Sequence, residues 1–221
     1  MARTIPTLTV AAVLIATTAF AQTPAPAPTP AASAAPDNAW SFFASAYTYI
    51  VPNGDSYVQP TLTADKGRLH LEARYNYESQ KTGSAWVGVN FSGGDHVEWE
   101  LTPIAGVVFG DLDGFAPGYK GSISWRNLSL YSESEYVIDS ASTSDSFLYN
   151  WSELTYSPTE AFRFGLVVQR TRAYQTARDV QRGLIAGYVY KQAEFTLCVF
   201  NPDDDKPTVA FSVGWRPPMI R

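Results

Sequence analysis

The sequence contains 221 residues, of which 17% are charged and 45% hydrophobic, and this charged fraction lies below the roughly 25% of an average soluble domain. Aromatic residues account for 14% of the chain beside 15 Gly and 15 Pro, a composition that favours strands and turns over a helical bundle. The net charge of −5 provides no basic surface for nucleic acid, and the single cysteine, Cys198, excludes an internal disulfide and a cysteine zinc site.

The first 21 residues have the features of a secretory signal peptide. An uncharged, mostly apolar stretch ends in the triplet Ala-Phe-Ala at residues 19–21, which matches an A-x-A cleavage site. Position 22 is Gln rather than Cys, which excludes a lipid anchor at that site. Residues 22–39 are rich in Pro and Ala and contain no aromatic residue, so they predict a disordered leader. We expect cleavage near Ala21 and export from the cytoplasm.

The rest of the chain alternates apolar and polar side chains with a period of two. The clearest segment is 68–78, where Leu, Ala and Tyr occupy the odd positions and charged or polar residues occupy the even ones. Segments 96–109 and 207–215 repeat this pattern. Alternation of this kind predicts strands with one apolar face and one polar face.

Turn signals divide the chain into twelve predicted strands. Connections after odd-numbered strands have five to seven residues, whereas those after even-numbered strands have two or three. These features predict an all-β fold, a single closed antiparallel up-and-down transmembrane barrel over residues 40–215 with both termini periplasmic and a short tail at 216–221. The predicted strands are 40–50, 56–64, 68–78, 84–92, 96–109, 117–125, 128–139, 146–157, 161–174, 180–191, 194–201 and 207–215.

This strand rhythm resembles that of the outer-membrane β-barrel proteins of Gram-negative bacteria, and the stretch LHLEARYNYE at 69–78 is similar to runs in uncharacterised, porin-like members of that class. The segment TVAFSVGW, which ends at Trp215, resembles the last strand that the barrel assembly machinery recognises, although RPPMIR follows it. The resemblance implies an outer-membrane location, with outer-membrane lipid and the assembly machinery as partners. Alternation alone is also compatible with a soluble, secreted β fold.

The polar faces of the predicted strands carry charges of both signs, which are suited to a water-filled lumen. Water in such a lumen keeps the desolvation cost of these charges small. The candidate lumen-lining residues are His70, Glu72, Arg74, Glu98, Glu100, Lys120, Glu133, Glu135, Glu153, Arg182, Lys191 and Glu194. The break in alternation at Val167 and Val168 leaves Arg170 and Arg172 without an assigned face.

Aromatic residues on the apolar faces collect near the ends of the predicted strands. Tyr and Trp are enriched at the two membrane–water interfaces, so we expect these residues to form two girdles. The candidate interface residues are Tyr47, Tyr49, Tyr75, Tyr77, Phe91, Phe109, Trp125, Tyr156 and Trp215.

Motifs for catalysis are weak in this sequence. The G-x-S-x-G motif of esterases does not occur, and the two histidines, His70 and His96, fall on polar faces. The pairs Glu98 with Glu100 and Glu133 with Glu135 have a spacing that any polar strand provides. We therefore predict no catalytic residue, no metal site and no cofactor.

The first functional hypothesis is a narrow, porin-like channel that passes small polar solutes through a charged lumen. One alternative is an outer-membrane enzyme that modifies lipid or lipopolysaccharide, which needs a His or carboxylate site at a rim. Another is a non-conducting structural barrel, because twelve strands lie between the eight that side chains fill and the sixteen of open porins.

Overall fold

A computed structural model describes residues 39–52, 54–142, 146–170 and 180–218. The predicted signal peptide, nearly all of the leader and Arg172 lie outside the described residues. In the described part the secondary structure consists of thirteen strands. No helix in those ranges is long and apolar enough to cross a membrane.

The strands follow one another in short antiparallel hairpins, as the turn signals predict. Their bounds lie within a few residues of the predicted ones, except that the predicted strand end at residue 174 lies outside the described residues. The strands are β1 (Ser41–Ile50), β2 (Tyr57–Lys66), β3 (Leu69–Tyr75), β4 (Thr82–Val89), β5 (Phe91–Gly93), β6 (Glu98–Gly110), β7 (Gly114–Trp125), β8 (Leu128–Asp139), β9 (Phe147–Tyr156), β10 (Phe162–Arg170), β11 (Gln181–Tyr190), β12 (Ala193–Phe200) and β13 (Thr208–Trp215).

Twelve of these strands form a closed ring. Each pairs antiparallel with its neighbours, β4 pairs with β6, and β1 pairs with β13. The short β5 pairs with β6 and continues the line of β4 beyond Asn90 in the same register, since Gly88 lies opposite Ile104 and Phe91 opposite Leu101. The predicted closed antiparallel barrel of twelve strands is therefore confirmed, with β5 as an additional short strand.

The two ends of the barrel differ in their connections. The loop end is where β1, β3, β6, β8, β10 and β12 end. The turn end carries the connections at 67–68, 94–97, 126–127, 157–161 and 191–192. Because β1 begins and β13 ends at the turn end, both ends of the described barrel lie there.

The strand faces separate an apolar outer wall from a polar interior. Along β3, Leu71 and Tyr75 are exposed, whereas Glu72 and Arg74, which lie between them in the sequence, are buried. The period of two places alternate side chains on opposite faces of the pleated sheet, so this division follows from the sequence pattern. Representative members of the outer wall are Val58, Leu62, Val87, Leu101, Val107, Ile123, Leu130, Leu154, Leu166, Leu184 and Phe211.

Candidate functional site: the barrel lumen

Most of the candidate interface aromatics lie on the outer wall near a strand end. Tyr75 and Phe109 are at the loop end. The exposed members near the turn end are Phe91, Trp125, Tyr156 and Trp215. Their position is compatible with two girdles, which remain a prediction.

Tyr47 and Tyr49 on β1 are not on the outer wall, so their predicted position at the membrane interface is wrong. Tyr47 lies opposite Gln59 of β2 and Ser212 of β13, and residues directly opposite one another share a face of the sheet. Both partners face the lumen. The sequence of β1, SFFASAYTYI, carries aromatic or small residues at both parities, so periodicity does not identify its inner face.

Tyr77 is also in the lumen, and its predicted interface position is wrong for a different reason. β3 ends at Tyr75, and Asn76 adopts a left-handed backbone conformation with φ of 57°. The alternation therefore stops before Tyr77, whose ring centroid lies 4.8 Å from that of Tyr149.

The structure brings most of the candidate lumen-lining residues together inside the barrel. His70, Glu72, Arg74, Glu133, Glu135 and Glu153 are buried there. Glu100, Lys120 and Glu194 are partly buried and line a cavity described below.

Three candidates lie elsewhere. Arg182 is exposed and pairs with Asp203 at the loop end, because the inward positions of β11 are the odd-numbered ones such as Ile185. Lys191 belongs to the connection after β11 and has a left-handed φ of 56°, which takes it out of the alternation. Glu98 is exposed at the first position of β6, on the same face of the strand as Glu100, and lies at the turn end beyond the cavity lining. The predicted lumen positions of Arg182 and Lys191 are therefore wrong.

Arg74 makes an ion pair that crosses the lumen. Its Nη1 donates to Oε2 of Glu135 at 2.8 Å, and its Nε donates to Oε1 of Glu72 at 2.8 Å. Arg74 lies on β3 and Glu135 on β8, with three ring strands between them, so the pair connects facing parts of the wall. The guanidinium carbon lies 4.3 Å from the ring centroid of Tyr77 and 4.6 Å from that of Trp86.

Glu72 links several cations in the lumen. Besides Arg74, it accepts a hydrogen bond from Lys120 of β7 at 2.9 Å, a second contact across the lumen. His70 lies between Glu72 and Asp65, with its Nε2 3.2 Å from the first and its Nδ1 2.8 Å from the second. Two-sided pairing of this kind compensates the cost of burying the charges.

The loop-end half of the lumen is filled by an aromatic layer. Trp151 on β9 contacts Tyr47 on β1, with ring centroids 5.8 Å apart, and Phe200 on β12 at 5.9 Å. Because these strands lie on different sides of the ring, the rings meet in the middle of the lumen. The aromatic layer consists of Tyr47, Tyr49, Tyr77, Tyr149, Trp151 and Phe200.

A second apolar cluster fills the neighbouring part of the loop-end half. It consists of Trp86, Ile104, Val108, Leu112, Ala116 and Val137. Trp86 lies directly against Gly106, where a Cβ atom would collide with the indole ring. The sequence pattern did not indicate either cluster. The one available signal is that Phe147, Tyr149 and Trp151 share a face of β9, a run of three large rings.

The turn-end half contains a cavity of about 230 Å³, whose floor includes Tyr49, Tyr149 and Trp151 of the aromatic layer. Its acidic lining residues are Asp65, Glu72, Glu100, Glu133, Glu153 and Glu194, and its basic ones are His70, Lys120, Arg163 and Arg216. We call this space the turn-end cavity. Its exposed lining residue Arg216 directly follows β13, so the cavity lies toward the turn end.

The described side chains do not assemble a hydrolytic or metal centre. His70 is bonded to Asp65 and Glu72 rather than to a serine, and His96 is exposed in a connection at the turn end. Within the described ranges, no three His, Cys, Asp or Glu side chains are grouped to hold a metal ion. The geometry therefore gives the enzymatic hypothesis no support.

Comparison with known proteins identifies the fold. No protein-family model matches the chain, and no curated protein matches it. The KdgM porin is similar in structure, with a TM-score of 0.53 and 11% sequence identity over 78% of this chain and 98% of that chain. The outer membrane protein Omp33 of Acinetobacter baumannii has a TM-score of 0.46 and 11% identity over 82% of this chain and 100% of that chain. The likeness to KdgM shows that this chain shares the closed β-barrel fold of that porin.

Proposed function

We propose that this chain is a narrow, porin-like channel for small polar solutes in the outer membrane, and that its lumen is closed in the conformation described. The observation that carries the proposal is the turn-end cavity, a charged space inside a ring of strands whose outer wall is apolar. A charged interior within an apolar exterior is the arrangement of barrels that pass polar solutes.

The proposed orientation places the turn end in the periplasm. Outer-membrane barrels have short periplasmic turns and longer external loops, and both ends of the described barrel lie at the turn end. The proposed signal peptide, cleaved near Ala21, supports export, and outer-membrane lipid and the assembly machinery are the proposed partners.

Conduction requires the aromatic layer to move. Tyr49, Tyr149 and Phe200 are at most 2% exposed, so water does not reach them in this conformation. The ion pair of Arg74 with Glu135 joins facing walls in addition. These contacts favour a second candidate function, a non-conducting structural barrel in which the same side chains keep the lumen closed permanently.

Single-channel recording separates these two functions. The full chain would be refolded in detergent, checked for a heat-dependent shift in gel mobility, and added to a planar bilayer. We expect small, reproducible steps that become larger in Trp151→Ala, which removes the central ring of the aromatic layer. Trp125→Ala, a matched change on the outer wall, is expected to leave the steps unchanged. Folded protein that gives no steps in any of these forms would support the structural barrel and overturn the channel.

The membrane placement has its own test. Leu62 is 52% exposed on the outer wall, whereas its neighbour Thr61 lines the turn-end cavity. A lysine facing the middle of the bilayer costs about 2–4 kcal/mol, and a lysine facing the lumen costs less. We expect Leu62→Lys to lower the unfolding free energy in phospholipid vesicles much more than Thr61→Lys. Equal losses would contradict lipid contact at this wall.

A further inference from the structure

We propose that the turn-end cavity is a binding site for small organic cations, of which a short alkyl diamine is the representative ligand. This inference concerns binding rather than passage, so it does not require the channel to open. The argument rests on the charge of the cavity lining, on polar side chains in it that lack partners, and on its size.

The cavity lining carries an excess of negative charge. Its six carboxylates face three permanent cations, Lys120, Arg163 and Arg216, which leaves a formal charge of −3 when His70 is neutral. Lys120 and Arg163 are each already paired with two glutamates. Negative charge in a recess with low-dielectric walls concentrates cations there.

Glu100 is the lining carboxylate whose charge no other described side chain compensates. Among the described residues it has no hydrogen bond and no ion pair, although it lines the cavity and its Oε2 atom is buried. A carboxylate oxygen that is buried without a partner is costly, and a ligand ammonium group would supply both the charge and the hydrogen-bond donor.

Gln59 and Ser212 provide an independent sign of a ligand. They are 4% and 5% exposed, line the cavity, and make no side-chain hydrogen bond to any described residue. In the sheet they lie on either side of Tyr47, which is opposite both of them, so the three form one row on the cavity wall. Neither side chain has a polar atom that is both sealed from the cavity and unpaired. Their oxygen atoms are therefore open to the cavity and available to accept hydrogen bonds from an ammonium group.

The remaining lining and the size define the ligand class. The rings of Phe43, Tyr47 and Tyr131 line the same space, and aromatic faces attract alkylammonium groups. The volume of about 230 Å³ lies below the roughly 300–1,000 Å³ of sites for drug-sized molecules. A short aliphatic chain with an ammonium group at each end satisfies the charge, the hydrogen-bond acceptors and the limited space together.

Isothermal titration calorimetry of the refolded full chain in detergent tests the proposal, with 1,4-diaminobutane as the probe and glutamate and glucose as comparison solutes. We expect saturable binding of the diamine and none of the other two. Glu100→Gln is expected to weaken the affinity about tenfold, because a hydrogen bond to a charged group is lost. Gln59→Leu is expected to weaken it severalfold. Glu160→Gln removes the same charge from a connection outside the cavity lining and is expected to leave the affinity unchanged.

The absence of saturable diamine binding to the unaltered protein would overturn the proposal, as would equally tight binding of glutamate. Unchanged affinity in both Glu100→Gln and Gln59→Leu would also overturn the assignment to this cavity. If only one variant folds, as judged by heat-dependent gel mobility, its affinity decides the assignment. Single-channel recording of the same preparation keeps the two proposals apart. A barrel that conducts without binding diamine contradicts only this inference. A barrel that binds diamine without conducting contradicts only the channel.

Discussion

The two halves of the lumen are built from the same alternating strands but are stabilised in different ways. In the loop-end half, rings from facing walls touch, and Tyr149 and Phe200 are 1% and 0% exposed. In the turn-end half, the side chains of Lys120 and Glu194 are 20% and 24% exposed beside a cavity. The comparison shows that an inward-facing position in a barrel does not by itself specify a wet or a dry environment. What fills the neighbouring inward positions decides this.

Arg74 lies where the two halves meet. Tyr77 and Trp86 of the loop-end half contact its guanidinium group, and Glu72, shared with the turn-end half, accepts its hydrogen bonds. Its side chain is 0% exposed, so water contributes nothing to its solvation. The boundary therefore depends on a single cation whose charge the protein alone must compensate.

The largest expected effect comes from removing this cation. Arg74→Met leaves Glu72, Glu78 and Glu135 without their shared partner. Removing one partner of a buried ion pair lowers the unfolding free energy by about 3–5 kcal/mol. Urea titration in vesicles, followed by circular dichroism, measures the loss of unfolding free energy. The matched control is Arg182→Met, whose exposed pair with Asp203 contributes at most about 1 kcal/mol. A similar loss in both variants would show that Arg74 has no special place at the boundary.

Removing the central ring of the aromatic layer comes next. Trp151→Ala leaves a void between Tyr47 and Phe200, and such truncations cost about 3–5 kcal/mol. We expect about 3 kcal/mol, the lower end of that range, because the neighbouring turn-end cavity gives the layer room to relax. The measurement is the same urea titration, with Trp125→Ala on the outer wall as control. Loss of stability confined to the control would contradict a packed loop-end half.

A smaller effect is expected where the indole ring of Trp86 packs directly against the backbone of Gly106. In Gly106→Ala the added methyl group collides with the indole of Trp86, and overpacking of this kind costs about 1–3 kcal/mol. The thermal midpoint by circular dichroism reports the change. Gly121→Ala is the milder comparison, since a Cβ there meets the carbonyl oxygen of Glu100 at 3.3 Å, a contact that a shift of a few tenths of an ångström relieves. An unchanged midpoint in Gly106→Ala would show that the packing around Trp86 is loose.

The smallest effect is expected in the turn-end half. Glu100→Gln removes a charge that has no partner among the described residues, so the unfolding free energy should change by less than about 1 kcal/mol and in the stabilising direction. Glu135→Gln at the boundary should instead lose about 1.5–3 kcal/mol, because its hydrogen bond from Arg74 is charge-assisted. If the two variants lost stability equally, the division of the lumen into two environments would be wrong.

The sequence predicted the ring of strands well because period-two alternation is a local property. Along β3 and β13 the inner face is polar or small and the outer face apolar, so counting positions is enough. The closed form followed from the even strand number and the unequal connections. These features need no knowledge of which strand lies opposite another.

The filling of the lumen was not predictable in the same way. In β1 and β9 both faces carry aromatic residues, and only the register with neighbouring strands assigns Tyr47 and Trp151 to the interior. The change of face that turns Tyr77 toward the lumen depends on the left-handed backbone conformation of one residue, Asn76. The ion pair of Arg74 with Glu135 joins residues far apart in the chain, so no spacing along the sequence indicates it.

The pairing of β1 with β13 has a consequence for the order of folding. Ala44 and Trp215 are directly opposite each other, so the ring closes through a contact between the first and last strands of the barrel. Until β13 is in place, β1 and β12 both present unpaired backbone edges, and such edges promote association with other chains. Closing so long a chain segment is also entropically costly and slow compared with forming hairpins. Any intermediate in which β13 has not yet docked is therefore prone to aggregation, however stable the closed barrel becomes.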